Sequence, residues 1–286
     1  TLDLKFDKNY NLLEYKHLNT SIIVKRNFRY EERDLLKLDL YKKMFKFIDM
    51  LNVKEKYTEN IKNSHDLIEY IMIYMNYISS KEMIKNKVGI FRSAELKKDL
   101  ECSEATDPDI KKFLKQWNSS GGQYLKFEEK KGHEILGLDS YIHVTSPIRR
   151  LVDLLNIIIL QNELTEKNEL TELTENSQRF LSYWTSDVKF EYINRTMKAI
   201  RKVQNNCELL RICVEEEENK IYNGFIFDKI EIKDGLYQYM IYLQEIKMVN
   251  RLTSICEKDS LTFDKFKLFT FIDESNLKQK IRVEFK

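Results

Sequence analysis

The hydrophobic pattern of the chain changes its period near Lys220, and no other feature of the sequence constrains the fold as strongly. Beyond this residue apolar and polar residues alternate in "IYNGFIFDKIEIKDGLYQYMIYLQEIKMVNRL", and later in "FKLFTFID" and "KQKIRVEF". An alternation with a period of two predicts β-strands, and "KDG" between two such runs predicts a tight hairpin. We therefore predict that residues 218–286 form a separate all-β module whose size and strand number fit an OB-fold barrel.

Upstream of this module the pattern mixes strand-like and helical segments. "TLDLKFD" and "YNLLEYKHLNTSIIVKRNFRY" alternate as two strands joined by a turn, whereas residues 31–51 show a helical pattern. The clearest amphipathic helix spans residues 64–80, and long helices are predicted over residues 178–217. The sequence thus predicts an α+β fold, with a body in residues 1–217 and the β module after it.

Composition excludes several classes of protein. The 286 residues carry a net charge of +2, with four cysteines and four histidines, and no C-x-x-C occurs. A zinc site and a disulfide framework are therefore not expected, and any basic surface must be local. No run of about 18 apolar residues is present, so we expect no membrane association and an intracellular, cytoplasmic location.

One stretch of the sequence suggests an anion-binding site. In "HVTSPIRRLVDLLN" the side chains of Thr145 and Ser146 are good helix caps, and Pro147 fits the first position of a helix because it lacks an N–H group. We predict a helix over residues 146–163, with unpaired N–H groups and the positive end of the helix dipole at Pro147. The alternative interpretation is an ordinary capped helix without a ligand.

The two arginines that follow Pro147 favour the first interpretation. Arg149 lies on the predicted first turn, where its planar guanidinium could grip a phosphate with two parallel hydrogen bonds. Arg150 flanks it, and Asp153 lies four residues after Arg149 and three after Arg150, so its carboxylate could hold one guanidinium in place. If the helix is only a capped surface element, both arginines are solvated surface charges.

The same stretch, with the residues before it, resembles the signature of a known family. "GHEILGLDSYIHVTSPIRRLVDLLN" follows the pattern H-x-x-L-G-L-x-x-Y-x-H-x-T-S-P-I-R-R-Y-x-D of the ribonuclease II / ribonuclease R (RNB) family, which includes the exosome nuclease, with Leu151 in place of the last tyrosine. "SHDLIEYIMIYMN" resembles the family's I-E-E-x-M-x-x-x-N helix and keeps Glu69 and Asn76. "SIIVKRNFRYEE" and "GIFRS" resemble two family strands, and the C-terminal strands resemble its RNA-binding OB module. The resemblance covers nearly the whole chain.

This resemblance implies a processive exoribonuclease that hydrolyses single-stranded RNA from its 3′ end. Such an enzyme releases nucleoside monophosphates through a Mg²⁺-assisted attack of water. The resemblance further implies that Arg149 clamps the scissile phosphate and that Tyr30 contacts the terminal nucleotide, both as catalytic residues. It assigns RNA-binding roles to five other residues: Glu69, His143, Thr145, Ser146 and Arg150.

The metal ligands of the family are four aspartates in a D-x5-D-x-D-D cluster, which this sequence does not contain. Asp107 and Asp109 have the wrong spacing, and we interpret them as part of a loop turn around Pro108. "TLDLKF" begins like a strand already in progress. We therefore expect the Mg²⁺ ligands upstream of Thr1, in an N-terminal part of the catalytic domain that is absent from this chain, or on an associated fragment or subunit.

Two other interpretations of the resemblance stay open. Tyr70, Leu151 and Ile157 depart from the family pattern, which would fit a catalytically inactive relative that binds RNA without cutting it. A third possibility is an interaction scaffold that keeps only the fold. A scaffold predicts a neutralised RNA channel, whereas the cation of Arg149 and the ring of Tyr30 are both retained.

Overall fold

The computed structural model describes residues 1–96, 107–119, 122–166, 174–215 and 220–286. The chain forms two compact units, the first made of Thr1–Lys97 with Ser119–Phe190 and the second of Lys98–Asn118 with Glu191–Lys286. Both helices and sheets are present, as the predicted α+β class requires. The predicted domain boundary between residues 217 and 218 stays a prediction.

The first unit opens with a β-hairpin and three helices: β1 (Leu2–Phe6), β2 (Leu12–His17), α1 (Arg33–Lys37), α2 (Asp39–Lys54) and α3 (Ser64–Asn86). The two strands pair antiparallel, and the Asp7 carboxylate closes their turn by accepting backbone N–H groups of Asn9 and Asn11, both at 2.8 Å. The second predicted strand ends at His17 and does not continue to Tyr30. Residues 18–29 pair with no described strand, and the side chains that a partner would bury stay exposed.

Helix α3 confirms the strongest helical prediction and extends it to Asn86. Asn63 caps its start by accepting the N–H of Asp66 at 2.9 Å, and Lys87 ends it in a left-handed conformation with φ of 58°. The buried face of the helix packs against α2 and the hairpin through apolar and tyrosine side chains: Leu67, Tyr70, Tyr74 and Ile78. This packing fixes α3 as the frame on which the candidate site is built.

The rest of the first unit consists of β3 (Ile90–Ser93), β4 (Gln123–Lys126), α5 (Leu151–Glu166) and α6 (Glu175–Thr185). β3 pairs antiparallel with β4, and all four of its residues are buried. Along its other edge, Phe91 forms a bridge with Ile142, and the N–H of Arg92 donates to the carbonyl of Tyr141 at 2.7 Å. The segment that leads to Arg149 and Arg150 thereby packs against a buried strand.

Helix α7 (Asp187–Glu215) leads from the first unit into the second, which also contains α4 (Pro108–Trp117) and five strands. The strands are β5 (Ile221–Lys233), β6 (Leu236–Leu243), β7 (Met248–Ser254), β8 (Thr262–Asp273) and β9 (Lys278–Phe285). They form one antiparallel sheet in the order β7-β6-β5-β8-β9, and Cα atoms of the two edge strands approach within 8 Å of each other. The sheet is therefore curled like part of a barrel.

Two local predictions in this unit have clear outcomes. The "KDG" hairpin is confirmed, because Lys233 pairs with Leu236 across a turn in which Gly235 takes a φ of 72°. The interpretation of Asp107 and Asp109 as a loop turn is wrong. Pro108 is the first residue of α4, and the Asp107 carboxylate caps the helix by accepting the N–H of Asp109 at 2.7 Å.

The core of the second unit is rich in aromatic rings. On one face of the sheet the buried side chains include Tyr222, Tyr239 and Phe266. On the other face α4 packs against the strands, where the rings of Phe113 and Tyr242 stack with centroids 3.8 Å apart. None of the helices in the described part of the chain combines the length and apolar character that a bilayer crossing needs.

Candidate functional site

The predicted helix start at Ser146 is wrong, and the correction defines the shape of the site. Helix α5 begins at Leu151, and residues 147–149 form a separate turn before it. The N–H groups of Arg149 and Arg150 donate to the carbonyl of Ser146 at 3.3 and 3.1 Å, which closes this turn. The two arginines therefore lie on a tight turn at the mouth of the helix and not on its first turn.

The Asp153 carboxylate is the physical cause of this arrangement. Its side chain is 0% exposed, and one oxygen accepts the N–H of Ser146 at 2.7 Å. A buried carboxylate needs hydrogen-bond donors. The bond from the Ser146 N–H to Asp153 holds the backbone at Ser146 in a non-helical conformation. Residues 147–149 form the turn between Ser146 and the start of the helix.

The same carboxylate fixes one of the two guanidiniums, as its spacing in the sequence predicts. Arg150 donates from Nη2 to the first oxygen of Asp153 at 2.9 Å, and its Nε lies 2.8 Å from the second oxygen. This two-point contact holds the guanidinium plane in one orientation. Arg149 is exposed, and its closest polar neighbour is the Ser146 hydroxyl, 3.5 Å from Nη2. The turn thus carries one locked and one available guanidinium.

The hydroxyl of Thr145 lies at the base of the turn with its oxygen buried. This oxygen has no hydrogen-bond partner within the described residues. A buried hydroxyl without a partner costs about 1–3 kcal/mol, so it favours a ligand oxygen that can complete it. At the tip of the turn Ile148 is fully exposed. Thr145 and Ser146 do not act as helix caps, and their hydroxyls instead flank the arginines.

His143 lies behind the arginines and is uncharged. Its Nδ1 shares a 2.9 Å hydrogen bond with the hydroxyl of Tyr124. Burial lowers the pKa of His143 to about 2, and the nearby guanidiniums of Arg150 and Arg92 lower it further. A neutral, half-buried imidazole near these cations adds no charge to theirs. Its predicted RNA-binding role stays a prediction, and its position is that of a support for the turn.

Arg92 and Tyr124 are parts of the site that the sequence reasoning missed. Arg92 is only 7% exposed, and its guanidinium carbon lies 5.1 Å from the centroid of the Tyr124 ring. A Cβ added to Gly122 would come within 2.3 Å of the same guanidinium, so a larger residue there would displace the guanidinium. The available signal was an arginine inside "GIFRS", an otherwise apolar strand that would not tolerate a charge without neighbours.

Two buried amide side chains attach the segment before the turn to the rest of the unit. Asn76 of α3 donates to the hydroxyl of Tyr141 and accepts the N–H of Val144, both at 3.0 Å. Asn156 of α5 bonds both the N–H and the carbonyl of Ile90 at 2.9 Å and donates to the carbonyl of His143 at 3.1 Å. Together they hold residues 141–144 between α3 and β3.

Tyr30 and Glu69 lie near the N-terminus of α3. Tyr30 is 59% exposed, and its ring centroid is 5.1 Å from that of His65. The next residue, Glu31, accepts the N–H of Ser64 at 2.6 Å and donates its own N–H to the Ser64 hydroxyl at 3.0 Å. This reciprocal pair ties the exposed corner at Tyr30 to the helix.

Glu69 connects this end of α3 electrostatically with the residues near the turn. Burial raises the pKa of Tyr141, and the negative charges of Asp153 and Glu69 raise it further, whereas the positive charge of Arg150 lowers it. Tyr141 is therefore within electrostatic reach of both Glu69 and the Arg150–Asp153 pair. The predicted residues Tyr30, Glu69, His143 and Arg150 all belong to the first unit.

The residues around the arginines do not fit a Mg²⁺ site. One oxygen of Asp153 accepts hydrogen bonds from Arg150 and from the Ser146 N–H, and the other lies 2.8 Å from the Arg150 Nε, so the carboxylate is already paired with a cation. Within the described ranges, the only group of three or more potential ligands is His65, Asp66 and Glu69, whose ligand atoms lie within 4.8 Å of one another. One Asp66 oxygen already accepts the N–H of Lys62 at 2.9 Å. A hard cation that prefers an octahedron of oxygen ligands finds no such set here.

Comparisons with known proteins agree on one family. The model of the RNB domain matches residues 1–166. A curated ribonuclease R from Buchnera aphidicola subsp. Schizaphis graminum (strain Sg) is 26% identical over 234 residues, covering 58% of this chain and 32% of the relative. The chain thus spans about a third of the length of that relative.

Two solved structures resemble the chain in fold. Mycoplasma genitalium RNase R in complex with double-stranded RNA has a TM-score of 0.64 at 15% identity, covering 98% of this chain and 59% of the other. The same protein in complex with ribose methylated single-stranded RNA has a TM-score of 0.51 at 15% identity, covering 85% and 45%. The second unit's half-barrel lies within the fold that the first of these structures shares.

Proposed function

The chain belongs to the RNB domain family, and from this premise we infer that it is the phosphate-clamping part of a 3′-to-5′ exoribonuclease acting on single-stranded RNA. The observation that carries the proposal is the turn at residues 147–149. It presents the available guanidinium of Arg149 beside the Ser146 hydroxyl, with the unpaired Thr145 hydroxyl at its base. These groups are donors suited to one phosphate.

The two arginines would have different roles at that phosphate. Arg149 is free to place its fork on the non-bridging oxygens, where negative charge grows during hydrolysis, so its contact strengthens in the transition state. Arg150 is committed to Asp153 and keeps the turn in place while adding its positive potential. The neutral, half-buried His143 would support the turn without adding charge next to the pair.

Tyr30 and Glu69 would receive the terminal nucleoside. The exposed ring of Tyr30 offers a stacking surface that accepts any base, in agreement with degradation that does not depend on sequence. The carboxylate of Glu69 can accept hydrogen bonds from ribose hydroxyls, which distinguish RNA from DNA. The half-barrel of the second unit, which we propose to be an OB-fold, would contact RNA further from the 3′ end.

The Mg²⁺ that the family resemblance implies would activate the attacking water, but the described residues do not form its site. We therefore propose that an aspartate-bearing segment or subunit is the partner of this chain in the complete enzyme. An inactive relative that binds RNA without cutting it is the second candidate, and the departures from the family pattern at Tyr70, Leu151 and Ile157 favour it.

The test is the effect of Arg149→Ala on the complete natural protein, measured separately as turnover and as affinity for a labelled single-stranded RNA. Loss of one transition-state donor is expected to lower kcat by roughly 10²–10³-fold, while the Kd for RNA rises much less. Arg179→Ala, which removes an exposed arginine on α6, is the matched control and should change neither quantity.

Two outcomes would contradict the proposal. Equal losses of turnover and affinity in Arg149→Ala would make this arginine a binding residue only. A wild-type protein that binds RNA through Arg149 but never hydrolyses it, with Mg²⁺ supplied, would establish the inactive relative.

A further inference from the structure

A cleft of about 320 Å³ lies next to the Tyr30 corner in the first unit, between α2 and the segment that precedes α3. Its volume is at the lower end of the roughly 300–1,000 Å³ found for small-molecule sites. We propose that it binds a nucleoside 5′-monophosphate. The inference rests on the proposed function for the origin of that ligand, because hydrolysis of RNA from the 3′ end releases such a molecule.

Cations line the rim of the cleft. Lys42, Lys46 and Lys62 contribute to its walls. Lys42 is 3.5 Å from Asp39 in an exposed pair, whereas Lys46 and Lys62 form no ion pair within 4 Å in the described part of the chain. Two ammonium groups without a partner at one opening create a positive potential that attracts a phosphate dianion.

Aromatic rings form the inner surface. Tyr41 is buried and Phe45 half-buried, and their ring centroids are 5.9 Å apart with the planes tilted by 55°. The half-buried ring of Phe45, backed by Tyr41, offers apolar surface that a base can contact without selection of its identity. The positive charges at the rim favour an anionic aromatic ligand. Negative charges there would have favoured a cationic one.

Glu31, the acidic residue in the lining, determines how the ligand is oriented in the cleft. Glu31 contributes to the wall, and its carboxylate already accepts the N–H of Ser64 at 2.6 Å. Hydrogen bonds from Ser64 lower the pKa of this carboxyl group, so it stays charged and repels phosphate from its end of the cleft. The phosphate is thereby directed to Lys46 and Lys62, and ribose hydroxyls can donate to the remaining Glu31 oxygen.

The position of the cleft connects it with the proposed reaction. Glu31 directly follows Tyr30, which we propose to contact the terminal nucleotide of RNA. Because Glu31 lines the cleft, a nucleotide released at Tyr30 would be close to it. The cleft would then hold the product after each step, so high concentrations of nucleoside monophosphate would slow degradation by occupying it.

The experiment is isothermal titration of the complete natural protein with adenosine 5′-monophosphate, with adenosine and inorganic phosphate as partial probes. The double variant Lys46→Gln/Lys62→Gln is expected to raise the Kd for the nucleotide roughly tenfold, since two charge-assisted contacts are lost. Lys43→Gln/Lys56→Gln changes the net charge by the same amount outside the cleft and should leave the Kd unchanged. Each partial probe should bind much more weakly than the nucleotide.

Three outcomes would overturn the inference: no binding of the nucleotide, equal binding of inorganic phosphate, or equal weakening by both double variants. Nucleotide affinity measured in Arg149→Ala separates this inference from the proposed function. Unchanged affinity there supports the cleft, and lost affinity places the nucleotide on the arginine turn. A protein that cuts RNA but binds no monophosphate would refute the cleft alone, and one that binds it but cuts no RNA would refute the proposed function alone.

Discussion

The turn that carries Arg149 and the corner that carries Tyr30 belong to the same unit, yet they are supported in opposite ways. The turn rests on a buried carboxylate and on buried amides that bond to the backbone around it, with Asp153 and Asn156 as the main members. The corner follows the unpaired residues 18–29 and is tied to α3 by one reciprocal pair of hydrogen bonds. A buried polar network gives a fixed geometry but makes stability sensitive to each member, whereas an exposed corner tolerates change.

We expect the largest loss of stability from Asp153→Ala, which tests the buried support of the turn. It leaves the half-buried Arg150 guanidinium and the Ser146 N–H without their acceptor, which should lower the free energy of unfolding by about 3–5 kcal/mol. Urea denaturation measures this change. Asp187→Ala removes an exposed carboxylate from its pair with Lys126 and should have little effect. Similar values for both variants would show that the turn does not depend on buried pairing.

A smaller loss is expected from Asn156→Ala. This substitution leaves the buried N–H and carbonyl of Ile90 without partners, at a cost of roughly 2–3 kcal/mol. Hydrogen exchange at the Ile90 amide should accelerate at the same time. Asn60→Ala, at an exposed position in the same unit, is the control. An unchanged exchange rate at Ile90 would mean that another group replaces the amide.

The half-buried, uncharged imidazole of His143 predicts a pH dependence that the exposed corner should lack. The pKa of His143 is about 2 in the folded protein, so below about pH 6.5 the unfolded chain binds a proton that the folded chain does not. Stability from this residue is complete above pH 6.5 and falls as the pH drops, by at most about 1.4 kcal/mol per pH unit. His143→Phe should remove this slope in denaturation experiments between pH 7 and 5. Parallel curves for wild type and variant over that range would contradict the assignment.

The smallest effect on stability is expected from Tyr30→Ala. The side chain is 59% exposed, and the unfolding free energy should change by less than about 0.5 kcal/mol. The pattern of RNA products should nevertheless change, because the proposed stacking surface for the last base is lost. Tyr183→Ala, which removes a similarly exposed ring on α6, should alter neither the stability nor the products. A large loss of stability in Tyr30→Ala would remove the contrast between the two regions.

Features that depend on neighbours in sequence could be predicted. The β module, the "KDG" hairpin and helix α3 follow from a period or from turn chemistry within a few residues. The pairing of Asp153 with a guanidinium also followed from a spacing of three or four residues, although the choice of Arg150 required the structure. The hairpin turn, helix α3 and the Asp153 pair each depend on groups within one helix or one turn, and the β module is marked by alternation within its strands.

Features that depend on distant residues could not be predicted in the same way. Asn156 bonds Ile90 across 66 positions, and no periodic signal marks such a partner. The helix starts at Leu151 because the buried carboxylate of Asp153 binds the Ser146 N–H. This contact overrides the capping preferences of Thr145 and Ser146. The strand expected to reach Tyr30 lacks a described partner, because alternation alone does not supply one.

The contact between Arg150 and Asp153 also determines how the turn responds to ionic strength. Two guanidiniums and one carboxylate leave one net positive charge on the turn. The affinity of a protein for single-stranded nucleic acid falls with salt by a slope of about −0.7 for each phosphate it neutralises. In the proposed function the turn would therefore release about one counterion on binding RNA, through Arg149 alone, despite its two adjacent arginines. Its contribution to affinity would be modest and directed at a single phosphate, so the proposed enzyme could advance the strand by one nucleotide without breaking many ionic contacts.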